Sequence, residues 1–147
     1  MRLDFLKEFK DPYMCTPQGQ GVFLAGVALG YLARCQVEGE KELTSAPLFK
    51  QLEFGRMNMK SLKKLLARVP KLLAAYREGI KYGGFIAALA AEANDLILKG
   101  GQQELGVDGN FAFTTGFASA PAYFWKIFGK KGEGEDGAAE GLNEMME

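Results

Sequence analysis

The chain has 147 residues, the length of one ordinary domain with a single buried core. Hydrophobic residues make up 48% and aromatic residues 12%, which excludes a wholly disordered chain. Lys and Arg (18) balance Asp and Glu (18), so the net charge points to no partner, while the absence of histidine removes the commonest general base and the commonest zinc ligand together.

Taken in chain order, Leu3, Phe5, Leu6 and Phe9 make an apolar stripe that predicts a short helix stopping near Asp11 and Pro12. A polar stretch over 16–21 leads into residues 22–36, apolar nearly all round with Ala25, Gly26, Ala28, Gly30 and Ala33 set among larger side chains. That pattern belongs to a helix in the middle of a bundle. Its apolar run, residues 22–32, is 11 residues long, where a membrane span needs about 20. Ser45 and Pro47 predict an N-cap and first turn for a short helix through Leu48 and Leu52. From Asn58 or Met59 onward, Leu62, Leu65, Leu66, Val69, Leu72, Leu73 and Tyr76 fall on one helical face, with Pro70 predicting a kink or a break. An Ala-rich helix over 85–99 ends at Gly100 and Gly101. Asp108 is the expected N-cap of a last helix over 111–128, bent at Pro121, with Phe113, Phe117, Phe124 and Phe128 turned to the core. The fold class is therefore all-α: a single bundle of about five to six helices over residues 1–128, with a Gly/Glu-rich tail over 129–147 expected to be disordered.

Cys15 and Cys35 are too few for a disulfide framework and lie in no metal-ligand spacing. Neither cofactor nor metal is expected, and no catalytic residue stands out. The glycines of residues 18–21 lack the preceding strand and the Gly-Lys-Ser/Thr of a phosphate loop, and read as a flexible helix entry. No leader or membrane anchor is expected, and a reducing cytoplasm fits the cysteine usage.

The distribution of charge is more informative than its sum. Residues 50–81 hold nine basic and two acidic side chains, a local net of +7, whereas residues 129–147 hold two basic and six acidic ones, a net of −4. Lys60, Lys64, Arg68 and Lys71 recur along one side of the long amphipathic helix, opposite its leucine face, with Lys63 and Arg56 near the same stripe. A face whose only task is solubility usually mixes signs. A single-sign row suits a phosphate backbone, each neutralised phosphate releasing counterions and giving salt-sensitive, sequence-tolerant affinity. Arg56, Lys60, Lys63, Lys64, Arg68 and Lys71 are thus the candidate nucleic-acid-binding residues. The alternative is a protein-interaction adaptor whose basic helix meets an acidic partner or its own acidic tail.

Three strings carry a resemblance: Gly-Val-Phe-Leu-Ala-Gly-Val-Ala-Leu-Gly-Tyr-Leu-Ala-Arg-Cys-Gln at 21–36, Pro-Leu-Phe-Lys-Gln-Leu at 47–52, and the Lys-rich segment 60–71. Together with the aromatic segment 111–117 and its Gly116, they resemble the C-terminal helical region of the large subunit of type I-B CRISPR Cascade complexes. In that family the region is similar to the separate small subunit, which can be made from an internal start in the large-subunit gene, and a chain beginning at Met1 suits that origin. The resemblance covers residues 3–128 and implies a helical bundle without nuclease activity. It also implies partners: the CRISPR large subunit and backbone subunits, guide RNA and target DNA, and other copies of the chain, with no membrane. The implied role is stabilising the displaced strand while base pairing reads the sequence. No family motif transfers residue by residue, so the binding residues come from the basic stripe.

Overall fold

The computed structural model describes residues 1–37, 42–75 and 82–129. Among these residues there is no strand; six α-helices and three short 3₁₀ turns make up an all-α bundle. The helices are α1 (Pro17–Cys35), α2 (Pro47–Lys50), α3 (Met59–Ala75), α4 (Gly83–Lys99), α5 (Gly106–Ala118) and α6 (Ala120–Phe128). The expected tail and Tyr76 lie outside the described residues.

Several boundaries differ from expectation, each for a local reason. The N-terminal stripe forms two 3₁₀ turns, Asp4–Glu8 and Pro12–Cys15, and Pro12 opens the second because the Asp11 side chain accepts a hydrogen bond from the Tyr13 amide. Helix α1 begins five residues before position 22. Thr16 Oγ1 accepts the Gly19 amide at 3.0 Å and Pro17 occupies the first turn, so residues 18–21 are helical, not a flexible entry. Before α2 the cap is Ala46 and not Ser45, whose hydroxyl donates back to the Glu42 carbonyl at 2.6 Å. Helix α4 starts at Gly83, two residues ahead of the expected 85, and closes on Gly100 as expected. Pro70 stands inside a continuous α3.

The expected last helix is two helices. Asp108 lies in the first turn of α5 and caps nothing, since the helix begins at Gly106 with φ of 61°. The break falls at Ser119, ahead of Pro121, which takes up the first turn of α6. Arg34 explains where α5 stops: its guanidinium donates to the carbonyls of Phe117 (2.9 Å) and Ala118 (3.1 Å), groups that the intrahelical ladder leaves without partners at a helix end. A third bond to Gly30 O at 2.9 Å fixes the side chain along α1. Burial lowers the Arg34 pKa from its ordinary value.

Helix α1 is the hub, with residues 21–30 all buried and α4, α5 and α6 packed around it. Its small residues do what the sequence implied. A Cβ at Gly26 would meet the Phe113 carbonyl, and one at Gly116 would meet the Phe23 carbonyl, so α1 and α5 approach backbone to backbone. Around that contact, Tyr31 stacks on Phe124 with centroids 3.9 Å apart, and Phe85 stacks on Phe128 at 4.5 Å. Phe113, Phe117 and Phe124 are buried as expected and Phe128 is half-buried. Helix α3 joins the bundle from one side, through Leu62, Leu65, Leu66 and Val69, and packs on α4.

Among the described residues no helix is long and apolar enough to cross a membrane.

Candidate nucleic-acid interface

Helix α3 begins with a reciprocal cap. The Ser61 amide donates to Asn58 Oδ1 at 2.8 Å, and Ser61 Oγ donates to the Asn58 carbonyl at 3.0 Å, so the start of the basic helix is fixed locally. It is also fixed globally, by Asn110 of α5. The Met57 amide donates to Asn110 Oδ1 at 2.7 Å, while Asn110 Nδ2 donates to the carbonyls of Met57 (3.1 Å) and Gly106 (2.9 Å). Asn110 is 8% exposed, and this amide clamp satisfies both its donor and its acceptor. The segment leading into α3 is therefore pinned to the core from a distance of 53 residues along the chain.

With α3 held this way, its buried leucine face leaves Lys60, Lys64, Arg68 and Lys71 exposed on the opposite side. Arg56, just ahead of the cap, is exposed as well. Arg56, Lys64 and Arg68 converge further, lining a cleft of about 320 Å³ between α3 and the segment after α2. Gln51, Asn58 and Ser61 add polar groups to its walls, and Glu53 is the acidic side chain there. Arg68 Nη1 donates to Gln51 Oε1 at 2.7 Å, which orients the guanidinium over the cleft before any ligand arrives. A planar guanidinium with donors to spare suits a phosphate, and the positive end of α3 opens beside it.

Lys63 departs from this group. It is half-buried on the α4 side of the helix, its Nζ donates to Gln102 Oε1, and it lines a second groove of about 350 Å³ with Pro70, Ala87 and Asn94. The structure thus unites Arg56, Lys64 and Arg68, keeps Lys60 and Lys71 on the same exposed face, and turns Lys63 to another.

Sequence reasoning missed Gln51, Ser61 and Asn110. Asn58 and Ser61 sit at the three-residue spacing of a capping pair, a readable signal. Asn110 precedes Phe113 and Phe117 at core-face spacing, and a polar residue on an apolar face is the mark of a buried anchor.

Residues 2–131 match the family of the CRISPR-associated protein TM1802 C-terminal domain, a match that runs through every described helix. The chain belongs to this family. No curated protein and no solved structure matches it. Membership makes this a CRISPR-associated domain.

Proposed function

We propose that the chain is a non-enzymatic helical subunit of a type I-B Cascade surveillance complex, acting like its small subunit in the cytoplasm beside the large and backbone subunits and other copies of itself. In this reading it contacts the backbones of guide RNA and target DNA and stabilises the R-loop. The observation that carries it is the convergence of Arg56, Lys64 and Arg68 on one cleft, continued along α3 by Lys60 and Lys71. Backbone contacts of this kind position a nucleic acid without reading it, as expected where base pairing supplies the sequence specificity.

The test is binding of the full chain to single-stranded, double-stranded and hybrid oligonucleotides at about 50 and 200 mM salt, where phosphate contacts change most steeply. A control carries Ala at Lys60, Lys64, Arg68 and Lys71. Sequence-independent affinity that falls with salt and is lost in the control is the expected result. Equal binding by the control would sink the assignment.

A second reading, an interaction adaptor without direct nucleic-acid contact, draws on Val107 and Phe111, one helical turn apart on α5 and 86% and 66% exposed. Replacing both with Ser separates the two: the adaptor loses its partner proteins, whereas the nucleic-acid subunit keeps its salt-sensitive binding.

A further inference from the structure

The chain itself carries a segment suited to the cleft, and three observations point to it. The charges are complementary: residues 132–147 carry six carboxylates and no Lys or Arg, against Arg56, Lys64 and Arg68 in the cleft and Lys60 and Lys71 beside it. The reach is sufficient. Eighteen residues follow Gly129 and span up to about 60 Å when extended, while α3, at 17 residues, is about 25 Å long.

The starting point is also favourable. Phe128 stacks on Phe85 in the first turn of α4. Helix α4 packs on α3 with Lys63, near the start of α3, bonded to Gln102 just past the end of α4, so the two run antiparallel, and Pro70 shares a groove with Ala87. Gly129 therefore leaves the bundle beside the start of α4, toward the C-terminal half of α3, and the exposed cations Lys71, Arg68 and Lys64 lead along α3 back to the cleft. The family match ends at residue 131, so the acidic run follows the shared domain and is not part of it.

We infer that the acidic segment 132–147 binds the α3 cleft in the same chain and competes there with nucleic-acid phosphate. This inference rests on the reading of the cleft as a phosphate site. A tethered segment acts at an effective concentration in the millimolar range, so even a weak carboxylate–guanidinium attraction holds back non-specific polyanions. A nucleic acid presenting many phosphates in a fixed row displaces it. The zero net charge of the chain then reflects two opposite charge clusters that meet.

Two measurements on the full chain test this. In the first, a zero-length carbodiimide couples any carboxylate lying against an ammonium group, and the monomer is mapped by mass spectrometry. The expected links run from Glu133, Glu135, Asp136, Glu140 or Glu144 to Lys60 or Lys64, and they fade with added salt or single-stranded DNA. In the second, a variant with all six tail side-chain carboxylates changed to amides (Glu133→Gln, Glu135→Gln, Asp136→Asn, Glu140→Gln, Glu144→Gln and Glu147→Gln) binds a labelled single-stranded oligonucleotide roughly fivefold more tightly at low salt, the gain for a tethered segment whose own dissociation constant is about a quarter of its millimolar effective concentration. No tail links to α3 in the monomer, together with salt-sensitive DNA binding, overturns the inference and leaves the functional reading in place. Links without any DNA binding overturn the functional reading and keep the tail on the cleft. Links combined with equal DNA binding by the two proteins overturn the competition.

Discussion

Helices α1 and α3 are nearly the same length, 19 and 17 residues, and they solve opposite problems. Helix α1 is surrounded, so its sequence is dictated by clearance: glycine where α5 crosses, large side chains where there is space. Helix α3 touches the bundle along one face and spends the other on cations. The first helix governs stability and the second governs what the surface attracts. A substitution in α1 should therefore register in melting and one on the outer face of α3 in binding, with little crossover.

The sharpest way to break that division is Gly26→Val, which drives a branched side chain into the Phe113 carbonyl. A loss of about 3 kcal/mol or more is expected from overpacking a site with no room to adjust. Thermal or urea unfolding measures it, and an unchanged midpoint would mean that α1 and α5 do not meet as described.

Next comes Asn110→Ala, which strands the Met57 amide and carbonyl in the interior at a cost of about 1–3 kcal/mol. This residue bridges the two regions, so it should also loosen the start of α3. Faster amide exchange at Met57 and Ser61 than in wild type is the check, and a loss of stability without that local change would make Asn110 a packing residue only.

Smaller again is the triple variant Arg56→Ala, Lys64→Ala, Arg68→Ala. These side chains are exposed, so its unfolding free energy should stay within about 0.5 kcal/mol per site of wild type. Oligonucleotide affinity should fall with a shallower salt slope.

The mildest perturbation is chemical. Burial pushes the Cys35 thiol up to about 11 from an ordinary 9. With so little thiolate at pH 8, Cys35 should alkylate at least about tenfold more slowly than an ordinary exposed cysteine. Cys15, at the surface, should be modified first. Equal labelling of the two in the native protein would place Cys35 outside the packed end of α1.

The sequence was legible wherever a single helix controls its own pattern. Apolar spacing located α3 and α4, the small-residue run marked α1 as the central helix, and the charge stripe on α3 needed no tertiary information because it is one helix reading itself. What escaped were features made between elements. The stop after Ala118 depends on a guanidinium from α1, the cleft on Gln51 approaching Arg68, and the clamp on Asn110 meeting a backbone segment far away in the chain. Lys63 shows the same limit in reverse: by charge and position it belonged with its neighbours, yet a rotation of one residue around the helix turned it toward α4 and Gln102.

Arg34 has a consequence for how the bundle is assembled. The elbow between α5 and α6 is closed by a side chain 83 and 84 residues away from the carbonyls it holds, so the angle is not written into the segment that bends. The carbonyls of Phe117 and Ala118 receive this partner only where α1 lies against the elbow, the same packing that sets Phe124 on Tyr31. The elbow thus ties the first third of the chain to the last through a single side chain. Lysine, with one compact ammonium in place of a rigid fork, could not close both carbonyls in the same way.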